Sequence, residues 1–194
     1  LPNVTQGMEW VLQGKGVATL KVDGSCCTII NGEFYKRYDA KRGKPIPEGA
    51  IKCQEEADPI TGHLPCWVKV DENKPEDKWF IEAYKTTIES GKIETTNGGL
   101  ASGKISEHRE FVYPKLQDGT YEAIGVHFQG NPYNLQCDTI VKHGIITINV
   151  ERTFDGIKKY LSEHYIEGIV FWLDGEPRCK IKRSDFGFDW GNKK

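Results

Sequence analysis

The sequence predicts an α+β fold of antiparallel sheet with few helices, and three observations lead there. Asn31-Gly32 joins two runs of β-forming residues, a strong signal for a tight hairpin because both residue types tolerate a left-handed backbone. Asp174-Gly175 does the same between an apolar run and a charged run near the end of the chain. Only residues 153–164 combine an N-capping threonine, Thr153, with apolar side chains at helical spacing, here Phe154, Ile157, Tyr160 and Leu161.

Along the chain, residues 17–22, 27–31 and 33–38 read as short strands, which leaves Lys21 at a strand end beside Asp23-Gly24. Residues 39–75 are rich in proline, glycine and charge, so an irregular excursion is expected, broken by short extended pieces such as 66–70. A second excursion, residues 90–106, carries Asn97-Gly98-Gly99 and Ser102-Gly103 and is the expected mobile loop. Residues 121–128 and 140–150 read as further strands. Residues 168–173 form a continuous apolar run suited to a buried strand, and 178–183 return beside it as a closing hairpin.

A length of 194 residues suits one domain with a substantial core, and a single domain over 1–194 is expected. No apolar run approaches the roughly 18 residues that a membrane helix needs. The opening segment has neither the basic start nor the apolar middle of a signal peptide. Cys26, Cys27, Cys53, Cys66, Cys137 and Cys179 contain no Cys-x-x-Cys pair, so a reducing cytoplasm is the expected location. Cys53, His63 and Cys66 offer three of the four ligands of a structural zinc site; without a fourth, buried thiols and a turn histidine are the plainer reading.

A net charge of −2 argues against a protein that coats nucleic acid indiscriminately, so any such contact must be local. Local basic density exists in two places: Lys36, Arg37, Lys41, Arg42 and Lys44, and then Lys180, Lys182 and Arg183. Taken alone, each cluster reads first as solvated surface charge.

Lys21-Val22-Asp23-Gly24 carries the most specific chemistry. A lysine amine can attack a nucleotide α-phosphate, a nearby carboxylate can hold a ribose hydroxyl or orient the amine, and a glycine lets the backbone pass under the nucleotide. Alone, the pattern equally describes a strand lysine before an Asp-Gly turn. Three later segments add weight by their order: Tyr121-Glu122-Ala123-Ile124-Gly125, Glu167-Gly168-Ile169-Val170 and Lys180-Ile181-Lys182. A glutamate entering a buried strand can hold a divalent cation or a ribose hydroxyl, and Lys-x-Lys on a strand points two ammonium groups to one face.

In this order the segments resemble the covalent nucleotidyltransferase superfamily of ATP-dependent ligases and capping enzymes, whose motifs run K-x-D-G, a strand glutamate, E-G-[IV]-V and K-x-K. Lys21-Val-Asp-Gly-Ser-Cys-Cys, Gly62-His-Leu-Pro-Cys-Trp-Val, Gly130-Asn-Pro-Tyr-Asn-Leu, His143-Gly144 and Glu167-Gly-Ile-Val are similar, more closely, to the small RNA 5′-to-3′ ligase family of animals and microbial relatives. The resemblance implies an adenylyltransferase domain of antiparallel sheets, an ATP-grasp-like nucleotidyltransferase fold. It implies ATP as cosubstrate with AMP carried covalently on Lys21, and Mg²⁺ or Mn²⁺ as cofactor. Asp23, Gly24, Arg37, Lys180 and Lys182 would bind the nucleotide, Glu122 its ribose or a metal, and Glu167 the metal. RNA bearing 5′-phosphate and 3′-hydroxyl ends would be the partner, met by a monomer with no membrane association.

The chain departs from the superfamily in places. Leu20 stands where related ligases carry glutamate before the nucleophile, and alignment through His143-Gly144 puts Ile146 where an aromatic residue stacks on the base. The chain ends soon after the Lys-x-Lys strand, so no OB-fold is expected. An ordinary lysine, with a pKa of about 10.4, is protonated at pH 7, so burial and neighbouring cations must favour the neutral amine for attack. Three alternatives stay open: a nucleotide- or RNA-end-binding module without turnover, a capping-type guanylyltransferase and a DNA ligase.

Overall fold

The computed structural model describes residues 4–90, 92–94, 110–112 and 116–191. In chain order the strands are β1 (Val17–Lys21), β2 (Ser25–Ile30), β3 (Glu33–Ala40), β4 (Ile51–Lys52) and β5 (Leu64–Lys69), followed by helix α1 (Lys78–Ser90). Then come β6 (Lys92–Glu94), β7 (Glu110–Val112), β8 (Gly119–Ile124), β9 (Thr139–Lys142), helix α2 (Phe154–Glu163), β10 (Gly168–Leu173) and β11 (Glu176–Lys182). Contacts divide the chain into two units: Leu1–Asp23 with Glu94–Glu110 and His143–Lys194, and Gly24–Ile93 with Phe111–Lys142. Mixed α and β structure with antiparallel sheets and two helices among the described residues agrees with the expected class.

In the second unit the strands form an antiparallel sheet of order β4-β5-β3-β2-β8-β9. The Asn31-Gly32 turn closes β2 onto β3 as the sequence predicts, both residues lying in the left-handed region at φ 52° and 77°. The Asp118 carboxylate accepts both of their N–H groups, at 2.6 and 2.9 Å. Strand alternation sends Cys27, Ile29, Tyr121, Ala123 and Ile140 to one face, which α1 covers with Trp79, Phe80, Ala83 and Tyr84.

Helix α1 is not among the elements read from the sequence. Its sequence is crowded with aromatic and β-branched residues, poor helix formers that read as strand. The sheet overrides that preference: the aromatic side chains fill its buried face, and the Thr87 hydroxyl ties the helix to β9. That hydroxyl shares a 2.8 Å hydrogen bond with Thr139 Oγ1 and accepts the Ile140 N–H at 2.9 Å.

In the first unit β1, β10 and β11 form a three-stranded antiparallel sheet. Asp174-Gly175 makes the predicted turn, at φ 54° and 78°. Ala18, Leu20, Ile169 and Phe171 are buried, as are Ile157 and Leu161 of α2. Helix α2 begins as predicted, with the Thr153 hydroxyl accepting the Gly156 N–H at 2.9 Å.

Two predicted strands are shorter than expected. The run over 121–128 ends at Ile124, because Gly125 adopts φ 131° and the Phe128 N–H turns back onto its carbonyl. The run over 140–150 breaks at Gly144, φ 78°: β9 stops at Lys142 in one unit, while 146–148 line β1 in the other. There the Leu20 N–H donates to Ile146 O and the Ile148 N–H to Ala18 O, both at 2.9 Å. Of the excursion over 90–106, Lys92–Glu94 is strand and positions 91 and 95–106 lie outside the described residues.

All six cysteines are free thiols. Among the described residues Cys53, His63 and Cys66 form no ligand cluster. Lys52 is the register partner of Cys66, so Cys53, one residue on, faces the opposite side of the sheet. No described helix is long and apolar enough to cross a membrane.

Candidate active site

Lys21 is the last residue of β1, and its register partner on β10 is Gly168; the partner of Gly168 on β11 is Lys182. Residues directly opposite in antiparallel strands share a face, so both lysines belong to one face, with a glycine between them. Two residues along, Thr19, Val170 and Lys180 form the next row of that face. The Lys-x-Lys spacing thus does what alternation requires, bringing Lys180 and Lys182 to the side that carries Lys21. Lys21 Nζ donates to the Glu167 carboxylate in an ion pair, with side-chain exposures of 20% and 13%. A lysine, the carboxylate it pairs with and two further cations therefore lie on one side of a small sheet.

The glycine in this row is sterically required. A Cβ on Gly168 would overlap the Ile181 carbonyl oxygen and stand 2.9 Å from Lys182 Cα. The Glu-Gly pair therefore allows close approach of β11 as well as supplying the carboxylate. Behind the row, the Arg183 N–H donates to Glu167 O at 2.9 Å. The Arg183 guanidinium, buried, donates to the carbonyls of Leu161, His164 and Asp189 and lies over the Tyr165 and Phe188 rings. The third cation of this basic cluster is thus structural: it ties the end of α2 and the C-terminal segment to the strand bearing the site.

Asp23 is placed by a residue the sequence did not single out. Trp190 Nε1 donates to Asp23 Oδ2 at 2.7 Å, and Tyr165, whose hydroxyl accepts the Gly191 N–H at 3.0 Å, packs its ring against the indole. No local pattern signals a partner 167 residues away. Ile146 accepts the Leu20 N–H through its carbonyl at 2.9 Å, which sets its backbone beside the residue that precedes Lys21. In the His143-Gly144 pair the glycine has a packing reason, since a Cβ there would stand 2.9 Å from the Trp172 indole. That indole donates to the Thr19 hydroxyl at 2.8 Å.

Gly24, Arg37 and Glu122 belong to the second unit. Gly24 does not make a left-handed turn; its requirement is space, because a Cβ would overlap the Ala123 carbonyl oxygen and stand 2.7 Å from Ile124 Cγ2. Its N–H donates to Glu122 Oε1 at 3.1 Å, fixing that carboxylate. Glu122 is the register partner of Cys26, and Arg37 that of Trp67, which in turn pairs with Ile51. The register of β2 with β3, carried on one residue, sets Cys26 beside Arg37. Glu122, Cys26, Arg37, Trp67 and Ile51 therefore form one row across the face away from α1.

Arg37 donates through Nε to Asp39 at 2.8 Å and stands 5.9 Å over the Trp67 ring. Burial, and next the Glu122 charge, push the Cys26 thiol up to about 12, so it holds its proton at neutral pH. Cys26 and Trp67 were missed as neighbours of the predicted residues, although alternation along β2 and β5 would have found them.

Compared with known proteins, residues 44–194 match the family model described as RNA ligase 1. RNA ligase 1 of Danio rerio is 28% identical, the alignment covering 89% of this chain and 68% of the relative. RNA ligase 1 of Rattus norvegicus is 26% identical over 90% of this chain and 68% of the relative, and that of Pongo abelii 24% over the same shares. The family model begins after Lys21, whereas Glu122, Glu167, Lys180 and Lys182 lie within it. With more than half of its length matched, the chain belongs to the RNA ligase 1 family.

Proposed function

We propose that this protein is an ATP-dependent RNA ligase that works through covalent lysyl-AMP on Lys21, in a nucleotidyltransferase domain of the adenylyltransferase type. Family membership supports ligation of RNA. The observation that carries the chemistry is the Lys21–Glu167 ion pair in the row shared with Lys182.

In the first step Lys21 Nζ, having released one proton to solvent, attacks the α-phosphorus of ATP as the neutral amine; the N–P bond forms, the P–O bond to pyrophosphate breaks, and the second amine proton passes to Glu167. Lys180 and Lys182 stabilise the charge on the phosphate oxygens. Next a 5′-phosphate oxygen of RNA attacks the same phosphorus, Lys21 leaves and recovers its proton, and RNA adenylate results. Finally an RNA 3′-hydroxyl attacks the 5′-phosphate, the phosphodiester forms and AMP departs. The family resemblance gives Arg37 a contact on the phosphate or ribose side of the nucleotide, and Glu122 one with the ribose or a metal.

Carboxylate oxygens are the donors that Mg²⁺ or Mn²⁺ prefers, so the Glu167 side chain fits such an ion, as does that of Glu122 in its own unit. A bound ion would supply neutralisation of phosphate charge. The six free thiols are in keeping with a reducing cytoplasm.

The test is incubation with Mg²⁺ and α-labelled ATP or GTP, followed by denaturing electrophoresis and intact mass, with Lys21→Ala alongside. Label from ATP that is lost on adding 5′-phosphorylated RNA is the expected result. Label from GTP would instead indicate capping chemistry, and label from neither a binding module without turnover.

A further inference from the structure

The fold divides the first basic cluster into two sets. Lys36 Nζ is taken by the fully buried Asp77 carboxylate, and Arg37 is held between Asp39 and Trp67. Lys41, Arg42 and Lys44 remain, all exposed, and none pairs with a carboxylate of another described residue. They share one turn immediately after β3, closed by the Lys44 N–H donating to Lys41 O at 2.9 Å, with Gly43 in the left-handed region at φ 77°. Three like charges on one four-residue turn repel one another unless an anion lies among them.

The surroundings of this turn are built. An open cavity of about 370 Å³ lies between it and the segment 57–64. Gly62 has φ 70°, and a Cβ there would stand 2.8 Å from Arg42 Nε, so the arginine side chain lies over the glycine. The acid in this wall is engaged in its own loop: Asp58 Oδ1 accepts the Ile60 N–H at 3.0 Å and the Thr61 N–H and hydroxyl at 2.6 and 2.9 Å. Those bonds hold the Asp58 carboxyl below its ordinary range, so it remains an anion that anchors the wall rather than a partner of the three cations.

We propose that the β3–β4 turn, through Lys41, Arg42 and Lys44, is a docking site for the phosphodiester backbone of the RNA strand, separate from the nucleotide-binding residues. The choice of RNA rests on the ligase reading. Strand β3 carries Arg37, a nucleotide-contact residue in the ligase reading, and runs directly into Lys41; four residues of strand span about 13 Å, so an RNA whose adenylated end lies at Arg37 reaches the turn within two or three nucleotides. Backbone contacts of this kind position a strand without reading its sequence, and they release bound counterions.

The experiment is fluorescence anisotropy of a 5′-phosphorylated single-stranded RNA, titrated with the full chain and with K41A/R42A/K44A from about 50 to about 200 mM salt. Three lost contacts make the log–log salt slope shallower by about 2, so the wild type loses about 20-fold more affinity than the variant across that range. Lys41→Gln with Lys44→Gln leaves Arg42 on Gly62 and should lower the slope by about 1.4. Both variants form lysyl-AMP from ATP as the wild type does. Unchanged affinity and slope in both variants, or a wild type that does not bind RNA, would overturn the docking site. Loss of slope in a protein that never forms lysyl-AMP would retain the docking site and remove the ligase reading.

Discussion

Lys21 and Lys182 oppose each other across Gly168 in a single row of the three-stranded sheet. Two cations tolerate this arrangement because a carboxylate, Glu167, ion-pairs with one of them. In the proposed function, a nucleotide phosphate supplies the remaining counter-charge.

Removing the amine should remove the chemistry. Lys21→Ala is expected to form no AMP adduct, and Glu167→Gln to form it about 100-fold more slowly, through loss of the proton acceptor. Intact mass after timed incubation with ATP measures both; an adduct accumulating on Lys21→Ala would place the nucleophile elsewhere.

The glycines in the site are expected to resist substitution for steric reasons. Gly168→Ala and Gly24→Ala each press a methyl group into a neighbouring strand's backbone and should cost about 1–3 kcal/mol of stability. Gly175→Ala meets no atom within 4 Å but sits at φ 78°, so its smaller cost isolates backbone strain from overlap. Urea unfolding midpoints distinguish the two kinds of change.

The Trp190–Asp23 bond is expected to be worth about 1.5–3 kcal/mol, being a hydrogen bond to a carboxylate. Trp190→Phe keeps a ring and removes the donor. Denaturation should report that loss together with slower adenylation, since Asp23 is then held less firmly beside Lys21. Normal adenylation in a destabilised variant would make the bond structural only.

The half-buried Cys26 thiol predicts a pH dependence. Cys26 ionises near 9 when unfolded and is held protonated to about 12 in the fold. Above pH 9 the unfolded state therefore binds fewer protons than the folded state, and stability falls as pH rises from 9 towards 12, by up to about 1.4 kcal/mol per pH unit for this group. Below pH 9 the thiol contributes no slope. Cys26→Ala should make the alkaline fall shallower when chemical unfolding is repeated from pH 8 to 11.

Breaking the Lys36–Asp77 pair should be costly, because Asp77 is fully buried and also accepts the Asp71 N–H at 2.9 Å. Asp77→Ala is expected to lower stability by about 3 kcal/mol, as the partly buried lysine loses its counter-charge. A melting temperature within a degree or two of wild type would contradict this.

Both hairpin turns and α2 were legible because their signals are local: Asn-Gly and Asp-Gly fix a left-handed backbone, and Thr153 caps its own helix. The chemical segments were legible by residue type and order. Helix α1 was not, because its side chains are chosen for the sheet they cover, and their intrinsic preferences point to strand. The role of Trp190 was equally hidden, since it joins residues far apart in sequence.

By itself, then, the sequence determined the α+β class, the tight turns and which residues carry reactive groups, all properties of side-chain chemistry and short-range backbone preference. Only the tertiary structure decided the strand register that sets Lys21, Gly168 and Lys182 in one row. It likewise decided the separation of the basic cluster into paired and unpaired cations, and the breaking of the run over 140–150 between two units. Those outcomes depend on which strand lies beside which, and that is set by burying apolar faces across the whole chain rather than by any one segment.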